Sequence, residues 1–276
     1  MNNIAILTVT KDDLAGLCRT VHSIKSQTAS NIPHYIQDGT FQIASSFYPD
    51  SVLDYFSLPN VFYAQGADDG IYDAMNKLVL RNQEEYSLFL NSGDCFYQYN
   101  SLSELLAYLR LFSEDHLVFP WIYDHCGAQY LRNPHSSYLL FSQMTFCHQA
   151  CITRTSCLSA RPFDTRFDIL GDWHFFCREK MSGSTFRRFI SPPTKPLVLF
   201  DSNGISSIRY SKMFRESLLI VSDLNLFRFQ PFRLSRNLIK LLLLAPFSRF
   251  FRRPCLYKLK RLVMQLFDRF SFCNHL

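Results

Sequence analysis

Two short stretches hold the residues best suited to chemistry: Asp68-Asp69-Gly70-Ile71-Tyr72-Asp73-Ala74-Met75-Asn76-Lys77 and Phe89-Leu90-Asn91-Ser92-Gly93-Asp94. In the second, the large apolar residues Tyr86, Leu88, Phe89 and Leu90 stop abruptly at a polar tetrad with one carboxylate. That is how a buried strand delivers a metal ligand to a sheet edge. Ligands of open α/β sheets sit outside strand carboxyl ends, so Asp94 is the expected ligand of a divalent cation, Mg²⁺ or Mn²⁺. In the first stretch Asp73 and Lys77 stand four apart, on one face of a helix, which suits either a surface ion pair or an anion site.

The elements that must position these residues follow from periodicity. Ile4 to Thr10 is a continuous β-favouring run, followed by Asp12 and Asp13 as caps and by Leu14, Leu17, Cys18, Val21 and Ile24 at helical spacing. His34 to Gln37 is a short strand ending in Asp38-Gly39-Thr40, and Val61 to Ala64 is another. Strands alternating with helical segments predict an α/β fold with a mostly parallel sheet. Ser101 to Phe112 reads as an amphipathic helix, Leu117 to Tyr123 as one further strand, and Leu197 to Phe200 as a last strand before the loop Asp201-Ser202-Asn203-Gly204. The catalytic domain is expected over residues 1–222 and a basic amphipathic helical tail over 223–276.

The chain has 276 residues, 47% of them hydrophobic, enough for a full core. Its net charge of +6 is uneven: from Arg228 onward eleven Lys or Arg meet one acid, Asp268, giving +10 and leaving −4 for the rest. A basic tail interleaved with Leu and Phe and punctuated by Pro231, Pro246 and Pro254 suits a membrane interface, with packing on the body as the alternative. The apolar run Leu238 to Phe247 is interrupted by Lys240 and Pro246 and is far short of the ~20 residues that span a bilayer, so no transmembrane helix is expected. Met1 to Val9 has no basic leader, which predicts a cytoplasmic protein. Nine scattered cysteines without paired spacing fit a reducing compartment; Cys147, Cys151 and Cys157 beside His148 are too irregularly spaced for a zinc site.

In order and spacing, Gly70 to Lys77, Phe89 to Asp94 and Gly204-Ile205-Ser206-Ser207 resemble the family 2 glycosyltransferases of GT-A fold, and within them the bacterial exopolysaccharide transferases of the colanic-acid type. The resemblance spans roughly residues 4–220. It implies transfer of a hexose or deoxyhexose from a nucleotide sugar, with a divalent cation neutralising the diphosphate leaving group. It places Thr8, Thr10 and Asp38 against the nucleotide, Asp69, Lys77 and Asn91 beside the sugar and diphosphate, and Asp94 on the metal. Asn76 is expected to help hold the loop. The family often presents two or three acids where this chain has Asn91-Ser92-Gly93-Asp94.

Inversion at the anomeric carbon requires a base for the acceptor hydroxyl. The resemblance assigns that role to Asp172 in Leu170-Gly171-Asp172-Trp173, with Asp168 as the alternative; the commoner family form has two acids, and Gly171 replaces the first. His148 and Gln149 fall on the acceptor side, and Arg209 within reach of the diphosphate. The implied partners are a nucleotide-sugar donor, a lipid-linked glycan acceptor and the inner face of the cytoplasmic membrane, with no nucleic acid. A nucleotidyltransferase on a similar sheet and a nucleic-acid binder using the basic tail are the competing readings.

Overall fold

The computed structural model describes residues 4–40, 48–125, 127–201 and 210–244. Arg209 and the Gly204 to Ser207 segment lie outside the described residues, as do residues 245–276 of the expected tail. The chain divides into two compact units, Met1–Leu140 with Met144–Asp201, and Phe141–Gln143 with Ser202–Leu276. The helix that ends at Asp223 falls in the second unit, packed on elements that follow it.

In the first unit, β1 (Ile4–Thr10), β2 (His34–Asp38), β3 (Val61–Gln65), β4 (Tyr86–Phe89), β6 (His116–Val118), β9 (Cys151–Arg154) and β10 (Phe186–Arg188) form a sheet in the order β10-β6-β9-β4-β1-β2-β3. All neighbours run parallel except β9, which is antiparallel to both β4 and β6. Every residue of β1, β2 and β4 is buried, the pattern of parallel strands covered on both faces. A second sheet holds β5 (Cys95–Phe96), β11 (Val198–Asp201), β7 (Trp121–His125) and β8 (Ala128–Arg132).

The run Leu117 to Tyr123 is therefore two strands and not one. β6 ends at Val118, Pro120 interrupts the chain, and β7 restarts in the other sheet; proline has no N–H to give a ladder. One core joins the two sheets through Ile6, Leu88, Phe96, Leu117, Ile152 and Val198.

α1 (Leu14–Lys25) begins as its sequence demands: Asp13 is the N-cap and accepts the Gly16 N–H at 2.9 Å. α2 (Asp50–Phe56), α3 (Ile71–Arg81), α4 (Ser101–Leu111), α5 (Thr155–Ala160) and α6 (Gly171–Met181) complete the unit. Beneath α6 lies a polar network around the fully buried Glu179 and His116. The Glu179 carboxylate faces the Arg161 guanidinium and accepts hydrogen bonds from Ser184 Oγ at 2.7 Å and from His116 Nε2 at 3.2 Å. Burial lowers the His116 pKa, so a neutral imidazole donates from Nε2 while Nδ1 takes the Thr153 hydroxyl at 3.2 Å. Cys157 closes the cluster. With a guanidinium as counter-charge and each carboxylate oxygen bonded, the cluster ties α6 to β6 and β9.

In the second unit α7 (Tyr210–Asp223) packs on α8 (Pro231–Leu244) and on the single turn Leu226–Arg228 between them. α8 buries Leu234 and Leu238 but leaves Phe232 90%, Ile239 53% and Leu242 53% exposed. Among the described residues no helix is long and apolar enough to cross a membrane.

Candidate active site

The strand order reverses at β1, whose neighbours are β2 on one side and β4 on the other, and a crevice at such a switch point is where open sheets take ligands. The residues that open the loops after β1, β2, β3 and β4 contact one another: the Asp12 N–H donates to Thr40, Lys11 faces Asp68, and Ser92 donates to Asp13.

Asp94 closes the turn after β4. The ladder continues past the strand, Leu90 N–H to Leu7 O at 2.9 Å and Ser92 N–H to Val9 O at 3.1 Å, and Gly93 at φ +98° turns the chain. Thr20 of α1 clamps this turn: its hydroxyl donates to Asp94 O at 2.8 Å and accepts from the Gly93 N–H at 3.0 Å. Asp94 itself is 4% exposed. Burial pushes its carboxyl well above the usual carboxylate range, and the nearby Asp201 charge adds to that; the Asp201 N–H at 3.1 Å and the Gln149 amide pull the other way.

The turn carries one carboxylate in sequence, but the fold supplies a second. Asp201, the last residue of β11, lies beside Asp94 and pairs through Oδ2 with Arg19 at 3.2 Å. Asn91 in the same turn has a buried Oδ1 without a hydrogen-bond partner. Carboxylate and amide oxygens with one unsatisfied buried acceptor are the donor set that a hard divalent cation takes.

One side of the crevice is built from β1, β2 and the loop after β3. Thr10 pairs in register with Asp38. Asp38 is fully buried and its oxygens accept from the Thr40 N–H at 2.9 Å, from Tyr63 at 3.0 Å and from Tyr48. Thr8 points into the core, bonded to His34 Nε2 at 2.8 Å and donating to Leu90 O at 2.7 Å, so its side chain joins β1 to β2 and β4.

Asp68, which the sequence offers only as part of a motif, is a buried carboxylate here. It accepts from the Gly70 N–H at 3.1 Å and faces Lys11 Nζ at 3.5 Å. A Cβ at Gly39 would stand 1.9 Å from Asp68 Oδ2, so this close approach requires glycine. Asp69 is exposed. Lys77 pairs with Asp73 at 2.7 Å and donates to Ala67 O at 2.8 Å, holding α3 to the loop before it. Asn76 makes a two-way clamp with the Phe163 backbone, 2.9 Å in each direction.

Asp172 sits in the first turn of α6, where Oδ1 accepts from the Trp173 N–H at 2.8 Å and from Tyr72 at 3.2 Å. Asp168 is exposed in the loop before it. Gln149 reaches Asp94 and accepts from Cys147 Sγ at 3.1 Å. Burial pushes the Cys147 thiol up, and the charges of Asp94 and Asp172 add to it. His148 does not join them: it is packed against Phe89, Phe163 and Phe176, and burial lowers its pKa to about 4. Its reading as a substrate contact gives way to a neutral core imidazole.

No family model matches the chain. A PGL/p-HBAD biosynthesis glycosyltransferase of Mycobacterium tuberculosis is 26% identical over 188 residues, covering 63% of this chain and 68% of the relative. An uncharacterized glycosyltransferase of the same species is 27% identical over 241 residues, covering 80% and 84%. Among solved structures, S. aureus TarS 1-349 in complex with UDP superposes with a TM-score of 0.61 at 13% identity. It covers 79% of this chain, which spans 64% of the TarS chain. The mannosyltransferase PcManGT from Pyrobaculum calidifontis, in complex with GDP-Man and Mn²⁺, gives a TM-score of 0.58 at 12% identity over 96% of this chain and 84% of its own. The chain is a relative of glycosyltransferases by sequence and has the fold of GT-A-type glycosyltransferases.

Proposed function

We propose that this glycosyltransferase inverts configuration as it moves a sugar from a nucleotide-sugar donor to a lipid-linked glycan in cell-surface polysaccharide synthesis. The observation that carries the reading is the pairing of buried Asp94 with Asp201 at the switch point, where the Asp201 N–H donates to Asp94 Oδ1 at 3.1 Å. Asp94, Asp201 and Asn91 would hold Mg²⁺ or Mn²⁺, which when bound neutralises the diphosphate leaving group. Asp172, in the first turn of α6 and bonded to the Trp173 N–H, accepts the proton of the attacking hydroxyl. Thr10 and Asp38 end the strands under the nucleotide, Asp69 and Lys77 border the sugar and diphosphate, and Arg209 and Gln149 serve the diphosphate and acceptor sides.

Work at the inner face of the cytoplasmic membrane is supported by α8, with exposed Phe232 beside Arg233 and Arg236 and no acid along its length.

The test is release of nucleoside diphosphate from UDP-, GDP- and dTDP-sugars, and of CMP from CMP-sugars, with Mg²⁺ or Mn²⁺, membrane lipid extract supplying the acceptor. Metal-dependent turnover of one donor, lost in both Asp94→Asn and Asp172→Asn, is expected. Turnover that survives Asp172→Asn would remove that residue as the base, and pyrophosphate release from a nucleoside triphosphate would favour a nucleotidyltransferase.

A further inference from the structure

Gly171 occupies the position where the resembling family's first acid stands, and the fold shows what fills the space instead. A Cβ there would meet the Tyr72 ring at 2.7 Å (Cε2) and 2.8 Å (Cδ2), distances that no side chain tolerates without moving a neighbour. The ring belongs to the first turn of α3, is 5% exposed, and packs on Phe163 at 5.4 Å between centroids. The Asn76 clamp on the Phe163 backbone, one turn further along α3, fixes the same register. Tyr72 thus has little freedom, and its hydroxyl is delivered to one place. That place lies 3.2 Å from Asp172 Oδ1 and 2.8 Å from Ile169 O.

We infer that Tyr72 is a positioning residue for Asp172: its phenol holds the carboxylate through Oδ1 in the place an acid at 171 would otherwise occupy. The inference rests on the reading of Asp172 as the base. A phenol has a single proton, and here two acceptors stand within its reach. An ionised Asp172 is the better acceptor, since hydrogen bonds to a charged oxygen are stronger than those to a neutral carbonyl. Together with the Trp173 N–H, which also bonds Oδ1, the phenol fixes the rotation of the carboxylate and so the direction its other oxygen presents. When Asp172 takes up the acceptor's proton, the phenol can turn its own to Ile169 O, so the pair accommodates the base before and after proton transfer. Gly171 and Tyr72 are two parts of one device: the missing side chain is the room for the ring.

The test uses Tyr72→Phe, which keeps the ring and its packing, alone and in the Asp172→Asn background. Thermal unfolding at pH 7 reads the coupling whether or not a donor is known. Tyr72→Phe is expected to lower Tm by several degrees in the parent and by clearly less when residue 172 is Asn. With a neutral amide at 172 the phenol keeps only hydrogen bonds to uncharged oxygens, Ile169 O among them, so the difference between the two shifts reads the charge-assisted part of the Tyr72–Asp172 bond. Equal shifts would overturn the inference.

The activity arm uses UDP-N-acetylglucosamine and GDP-mannose with membrane lipid extract. With whichever donor turns over, Tyr72→Phe should lower kcat tenfold or more while KM for the donor stays within twofold. A loss confined to KM would also overturn it. Full activity in Asp172→Asn, by contrast, would remove the base reading while leaving the thermal coupling to be read by itself.

Discussion

Asp94 is held so that its charge is costly without a counter-charge. Its folded pKa lies above the ordinary carboxylate value of about 4 because burial disfavours the ionised form. The folded state therefore binds the proton more tightly than the unfolded one, and without metal the protein loses stability as pH rises from about 4 toward the raised value. Above that value the penalty is complete. Asp94→Asn should raise the metal-free Tm at neutral pH by a few degrees, or about 1 kcal/mol. Mn²⁺ should raise Tm of the parent and leave the variant unmoved. Differential scanning calorimetry with and without Mn²⁺ checks both signs. At the same scale, Asp172→Asn should cost roughly 10²–10⁴ in kcat with little change in KM, read from steady-state kinetics.

Glu179 shows how an element is held. Beneath α6 the carboxylate is buried but ionised: against the cost of burial, hydrogen bonds from His116, Arg161 and Ser184 bring its pKa down to about 2. A lowered acid pKa contributes stability above the unfolded value of about 4.3, and that stability is lost as pH falls toward 2. Glu179→Gln should cost roughly 1–3 kcal/mol in urea unfolding at pH 7, because it removes the charged acceptor that the buried His116 and the Ser184 hydroxyl bond, while Arg161 is partly in solvent. The same variant should flatten the parent's acid-side loss. The loop between β2 and β3 depends on Gly39 in a different way. Gly39→Ala should push the Asp68 side chain off Lys11, with a stability loss of roughly 1–3 kcal/mol by overpacking, seen as a lower urea midpoint.

At the scale of the whole molecule, the predicted contact is with an anionic bilayer. Each Lys or Arg at such a surface contributes roughly 1 kcal/mol, and the exposed face of α8 adds an aromatic side chain that is 90% in solvent. Phe232→Asp combined with Arg233→Glu should reduce co-sedimentation with phosphatidylglycerol vesicles several-fold, while donor turnover in detergent is unchanged. Binding that persists in this variant at low salt would show that α8 is not the contact.

Periodicity and composition alone determined the β-α alternation, the parallel sheet, the Asp13 cap and the delivery of Asp94 to a sheet edge, because these depend on residues close in the chain. The break at Pro120 was visible in the sequence as well, but a continuous apolar run hid the change of sheet. Tertiary structure alone decided which distant residues share the site. Asp201 reaches Asp94 across 107 positions, Asp172 meets Tyr72 across 100, and His148 is turned into an aromatic cage although Gln149, its neighbour, faces the carboxylate. Neither Asp201 nor Tyr72 has a local signal, since a strand-end acid and a helix-face aromatic each read as ordinary where they stand. Their partners are set by strand order and helix packing, which a pattern of neighbours along the chain does not encode.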